Sequence, residues 1–97
     1  MTAPLVRWRA VSQQEFLWAH WGGEHVLYHR PSGLTHLINE VTASLLREVL
    51  LEARTVDDAA VELAQREGAE MGAEFIDDVQ FLVERLETLG LVERCDE

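Results

Sequence analysis

The chain contains no lysine, and its eight basic residues are all arginine. Eighteen carboxylates oppose them and leave a net charge of −10. That balance argues against nucleic acid as a partner, because phosphate neutralisation by Lys and Arg supplies most of that affinity. Cysteine is nearly missing as well. The lone Cys95 can build neither an intrachain disulfide nor, by itself, a metal site. It reads as an incidental residue of a protein in a reducing cytoplasm. No apolar run approaches the roughly 18 residues that span a bilayer, and the opening MTAPLVRWRA is too short and polar for a secretory signal. A glycine-rich phosphate loop is lacking, and no Ser or Cys stands with a His in a nucleophile motif. Asp57-Asp58 and Asp77-Asp78 are adjacent pairs on predicted helices, so their side chains diverge and complement helix starts instead. The expectation is a protein that is not an enzyme and needs no cofactor or metal.

What remains is unevenly distributed. Residues 1–39 balance at +1, whereas residues 40–97 balance at −11. All four histidines and all three tryptophans fall within the first 36 positions. Ninety-seven residues with 47% apolar content suit one domain with one core. An aromatic-rich half thus adjoins an acidic half that would favour a basic or amphipathic partner.

Local patterns give the elements. Phe16–Trp21 reads as a strand, Gly22-Gly23 as a turn, and Glu24–His29 as a second strand. Pro31, which presets φ, and Gly33, which supplies a positive φ, make a turn into a third strand, Leu34–Ile38. Val26 and Tyr28 share one face of the second strand, with His25, Leu27 and His29 on the other. On the third, Leu34, His36 and Ile38 oppose Thr35 and Leu37. Val6-Arg7-Trp8 adds either a short strand or an arm.

Asn39 is a good N-cap and Glu40 complements the dipole of a first helix, whose Val41, Leu45, Leu46, Val49 and Leu50 should bury one face. Thr55 opens a second helix through about Arg66, and residues 68–72 form a loop. A third helix spans 73–89 and closes at Gly90. Leu91-Val92 is either a final strand or a strap. The buried stripe of the third helix is Phe75, Val79, Leu82, Leu86 and Leu89, widened on one flank by Ile76 and Val83. Phe81 falls on the other flank with Asp78, Arg85 and Thr88, where it fills a secondary core or walls a groove. The fold class is α+β, a small winged-helix-like domain over 1–97, with a three-stranded antiparallel sheet followed by a three-helix bundle. Since everything after Ile38 reads as helix, the strand Leu34–Ile38 should keep a free outer edge that can accept an extended peptide.

His25, His29 and His36 could gather a metal across the hairpin, but no carboxylate or cysteine completes a motif, so they read as surface or packing residues. Of Trp8, Trp18 and Trp21, at least two are expected in the core or in dimer packing.

The order of elements, with Tyr28 to Gly33 in the hairpin, Leu37-Ile38-Asn39-Glu40 plus Ala43, Leu45 and Leu46 at the strand-to-helix junction, and Thr55-Val56 opening the second helix, resembles the PqqD family. Asp78-Val79, Phe81-Leu82, Leu86 and Gly90-Leu91-Val92 match the family's third helix. These are winged-helix peptide chaperones, or RiPP recognition elements, and the resemblance covers roughly residues 16–92. Trp18-Ala19-His20-Trp21, Tyr28, Gly33 and Thr35-His36-Leu37 also look like a PqqD-like subgroup associated with relatives of HPr kinase. The resemblance implies that a precursor's leader peptide adds as a strand beside Leu34, Thr35, His36, Leu37 and Ile38. Its side chains would pack against Asp78, Phe81, Leu82 and Arg85, delivering the precursor to a modifying enzyme. No membrane or nucleic acid is implied, and a monomer and a homodimer both stay open. Two other readings are a winged-helix DNA-binding regulator, disfavoured by five carboxylates against Arg85 on the third helix, and a permanent docking subunit of an enzyme complex.

Overall fold

The computed structural model describes residues 6–22, 24–68 and 72–96. Its elements in chain order are β1 (Val6–Ala10), β2 (Phe16–Trp21), β3 (Glu24–His29), β4 (Leu34–Ile38), α1 (Glu40–Arg47), α2 (Val56–Glu67), α3 (Ala73–Thr88) and β5 (Val92–Asp96). The fold is α+β, with an antiparallel three-stranded sheet in the order β2-β3-β4 and three helices.

The simple succession of three strands and three helices needs correction. A second sheet joins β1 to β5, with Val6 opposite Asp96 and Ala10 opposite Val92. The tail after Gly90 is therefore a strand, and 6–10 is its partner. On the other side of β1, Trp8 exchanges backbone hydrogen bonds with Arg54 at 2.7 and 2.9 Å. Leu91 and Val92 lead β5 away from α3 with both side chains buried. Because β5 is consumed by β1, it leaves β4 paired with β3 alone among the described residues.

The hairpin forms as its turn chemistry dictates. Gly33 adopts φ 72° and donates its N–H to the His29 carbonyl at 2.9 Å, a conformation that a side chain would strain. Gly22 takes a positive φ in the β2–β3 turn, whose other residue, Gly23, lies outside the described residues. Register puts Phe16, Leu27 and Ile38 on the inner face, where they join one core with Leu45, Leu46, Leu50, Leu63, Val79, Val83 and Leu86.

Asn39 caps α1, its Oδ1 accepting from the Thr42 N–H at 2.8 Å. Thr55 caps α2 in the same way, and Gly68 ends it in the left-handed region. Two helix faces differ from the expected stripes. Val41 is exposed, and Thr42 and Ala43 are buried in its place. The helix also stops at Arg47, with Val49 and Leu50 reaching the core from a separate 3-10 turn. In α3 the buried line is Val79, Val83 and Leu86, while Phe75, Leu82 and Leu89 only pack against it. Val83, expected on the flank, lies at the centre.

Candidate functional site

β4 reads LTHLI and contains no charge and no proline. Natural edge strands are usually blunted by one or the other, because a bare edge invites another chain. Here Leu34 is 55% exposed and Leu37 is 73% exposed. Thr35 is exposed, His36 is half-buried, and Ile38 is anchored in the core. Alternate residues of β4 turn their N–H and C=O groups away from β3, as pairing on one side only requires. The Nε2 of His36 is buried without a hydrogen-bond partner among the described residues, a costly arrangement for a polar atom.

Both ends of β4 are fixed. At the turn, the buried His29 ring lies between Glu15 and Ser32, with Nε2 3.0 Å from Glu15 Oε1 and Nδ1 3.0 Å from Ser32 Oγ. The Ser32 oxygen also accepts the Leu34 N–H at 3.2 Å, and the Arg30 N–H donates to the Glu15 carbonyl at 2.8 Å. Ser32, His29 and Glu15 are thus joined in one chain of hydrogen bonds, which the Ser32 hydroxyl extends to the hairpin backbone through the His29 carbonyl at 3.4 Å. At the other end, His25 Nε2 lies 2.7 Å from Glu40 Oε2, tying the start of β3 to the start of α1. The hydrogen bond from His25, reinforced by its charge, holds the Glu40 carboxyl below the usual carboxylate range. His20 stacks edge-on to His25 with ring centroids 5.1 Å apart. Among the described residues, no three His, Cys, Asp or Glu side chains are grouped to hold a metal ion.

α3 presents the second half of the candidate site. Asp78, Phe81 and Arg85 are exposed, with Phe81 at 70%, and Leu82 is partly buried against the core. Positions 78, 81, 82 and 85 form one continuous helical stripe. Phe81 therefore does not fill a secondary core. Arg85 makes no side-chain ion pair with the described residues. Ile38 of β4 belongs to the same core as Val79 and Val83 of α3. A side chain at Gly90, just past α3, would come within 3.9 Å of the His29 ring, so the helix end stands beside the hairpin turn.

Hollows of about 340–380 Å3 lie beside Gln13 and Leu51, beside Trp8 and Gln80 of α3, and beside His25 and Arg47. Leu34 and Leu37 of β4 and Phe81 of α3 lie on open surface. β2 is also an edge strand among the described residues. Its inward Trp18 is covered by the Arg47 guanidinium at 5.0 Å.

Sequence reasoning missed the Glu15–His29–Ser32 clamp and the His25–Glu40 tie. Only the alternation that places His25 and His29 on the inner face pointed toward them. No family model, curated protein or solved structure matches the chain.

Proposed function

We propose that this domain is a peptide-binding module that takes an extended segment as an added strand beside β4. The observation that carries the reading is an uncharged, apolar edge held rigid at both ends, which β5 leaves uncovered by pairing with β1. An incoming strand would satisfy the outward N–H and C=O groups of Leu34–Ile38. Each such bond is worth roughly 0.5–1.5 kcal/mol net. Apolar side chains of the segment would cover Leu34 and Phe81, each buried side chain adding roughly 1.5–3 kcal/mol. Four or five bonds and two such contacts offset the ordering cost of a flexible peptide and support micromolar affinity. Asp78 and Arg85, of opposite sign and seven residues apart on α3, would set direction and register more than strength.

The winged-helix character and the likeness to PqqD-type chaperones belong to the same proposal. On that reading the segment is the leader of a precursor peptide, and the domain presents it to a modifying enzyme in the cytoplasm. The exposed carboxylates Glu74, Asp77, Asp78 and Glu84 on α3 disfavour the DNA-binding alternative. Titration of isotope-labelled protein with the leader segment tests the proposal. Amide shifts should concentrate on 34–38 and on the 78–85 face. Shifts confined to β2 or α2 would overturn it.

A further inference from the structure

The outer face of the three-stranded sheet is apolar where a one-sided sheet is ordinarily polar. Leu17 and Trp21 on β2, Tyr28 on β3 and Leu37 on β4 all point away from the core, with Trp21 81% and Leu17 54% exposed. Register arranges them in rows. Leu17 sits opposite Tyr28, and Trp21 opposite Glu24. Between these rows Ala19, Val26 and Leu37 align, so two small side chains lie beside Leu37. The face therefore carries one tall indole, and in its middle row the side chains of Ala19 and Val26 are shorter than those of Trp21 and Leu37 around them. Among the described residues of these three strands, Glu24 is the one carboxylate on it.

From this pattern we infer that the sheet face docks a second copy of the chain, face to face about a two-fold axis. Each Trp21 packs over the shorter Ala19 and Val26 side chains of the second copy. A two-fold interface must be self-complementary, so that whatever one copy projects the other must receive. This face holds both halves of such a fit. Aromatic side chains carry roughly 150–250 Å2, so the exposed fractions of Trp21, Leu37, Leu17 and Tyr28 amount to about 500 Å2. Two such faces total about 1,000 Å2, the low end of specific interfaces and in keeping with a dimer that forms and dissociates with concentration. Charge placement fits the same occupant. The helices pack on the inner face, and residues 40–97 hold a balance of −11. Face-to-face docking puts those acidic halves on opposite ends of the pair and brings near-neutral surfaces together. The β4 edge lies in the plane of the sheet, so each copy keeps it open.

Sedimentation of the purified chain over a wide concentration range tests the inference. A monomer–dimer equilibrium is expected, and it should tighten with added salt as repulsion between the acidic halves is screened. Trp21→Glu removes the knob and Ala19→Leu lengthens the middle row. Each should abolish the dimer while leaving unchanged the circular dichroism and the melting temperature measured at dilutions where the native chain is monomeric. Both positions lie on β2, away from the peptide edge, so the two proposals fail separately. A chain that stays monomeric at every concentration and salt would overturn the inference, as would a dimer that survives both substitutions or dissociates as salt is raised.

Discussion

Replacing Phe81 by alanine separates binding from stability, because the ring is mostly outside the core. A Phe side chain presents roughly 150–250 Å2. At 70% exposure, about 60 Å2 is buried in the free protein and about 140 Å2 stays open to a ligand. At ~25 cal/mol per Å2, the buried part contributes about 1.5 kcal/mol. The better helix propensity of alanine returns about 0.5 kcal/mol of that. The net loss of about 1 kcal/mol lowers the melting temperature by roughly 4–8 °C for a domain this small. If a bound peptide covers little more than half of the open area, the substitution removes about 2 kcal/mol of binding free energy at the same coefficient. That corresponds to roughly 30-fold weaker affinity. Calorimetric titration of both proteins with one peptide, selected on the native domain, gives the affinity, and a thermal melt gives the stability. A large fall in melting temperature with unchanged affinity would refute the reasoning and return Phe81 to the core.

Further expectations rest on the devices that hold the edge. Asn39→Ala removes the cap of α1 and should cost about 1 kcal/mol in chemical denaturation, with looser exchange at the β4–α1 junction. His29→Ala deletes the bridge between Glu15 and Ser32 and should cost about 2 kcal/mol, while exchange at the Gly33 and Leu34 amides accelerates. Glu40 has a lowered folded-state pKa. Its contribution is therefore complete above the unfolded carboxylate value and is lost as pH falls through the lower folded one. Glu40→Gln should flatten that acid limb, as denaturation at a series of acidic pH values would show.

The hairpin, the starts of the first two helices and the end of the third were legible because their signals are local. Pro31 and Gly33 mark a turn, Asn39 and Thr55 mark caps, and Gly90 marks a stop. The β1–β5 ribbon was not, since Val6 pairs with Asp96 across nearly the whole chain and VERCD has no apolar alternation of its own. Helical spacing continued through Val49 and Leu50 although the helix had already ended, because a 3-10 turn keeps delivering side chains to the same core. In α3, Ile76 and Val83 rotated the buried line away from Leu82 and Leu89, a shift that periodicity resolves poorly when apolar residues cover so wide an arc. The candidate site divided in the same way. The strand Leu34–Ile38 was legible from its alternation, whereas the angle of Phe81 on the helix left a secondary core and a groove wall equally open until the structure showed the ring exposed. The clamp at His29 depends on Glu15, fourteen positions earlier, and could appear only once β2 and β3 were paired.

The central claim is that the outward backbone of β4 waits for another chain. Hydrogen exchange read residue by residue tests it most directly. In the free protein, alternate amides of 34–38 should exchange rapidly while their β3-bonded neighbours are protected, and adding the peptide should slow the rapid set. Uniform protection of β4 without peptide, or a rapid set that peptide leaves unchanged, would contradict the account.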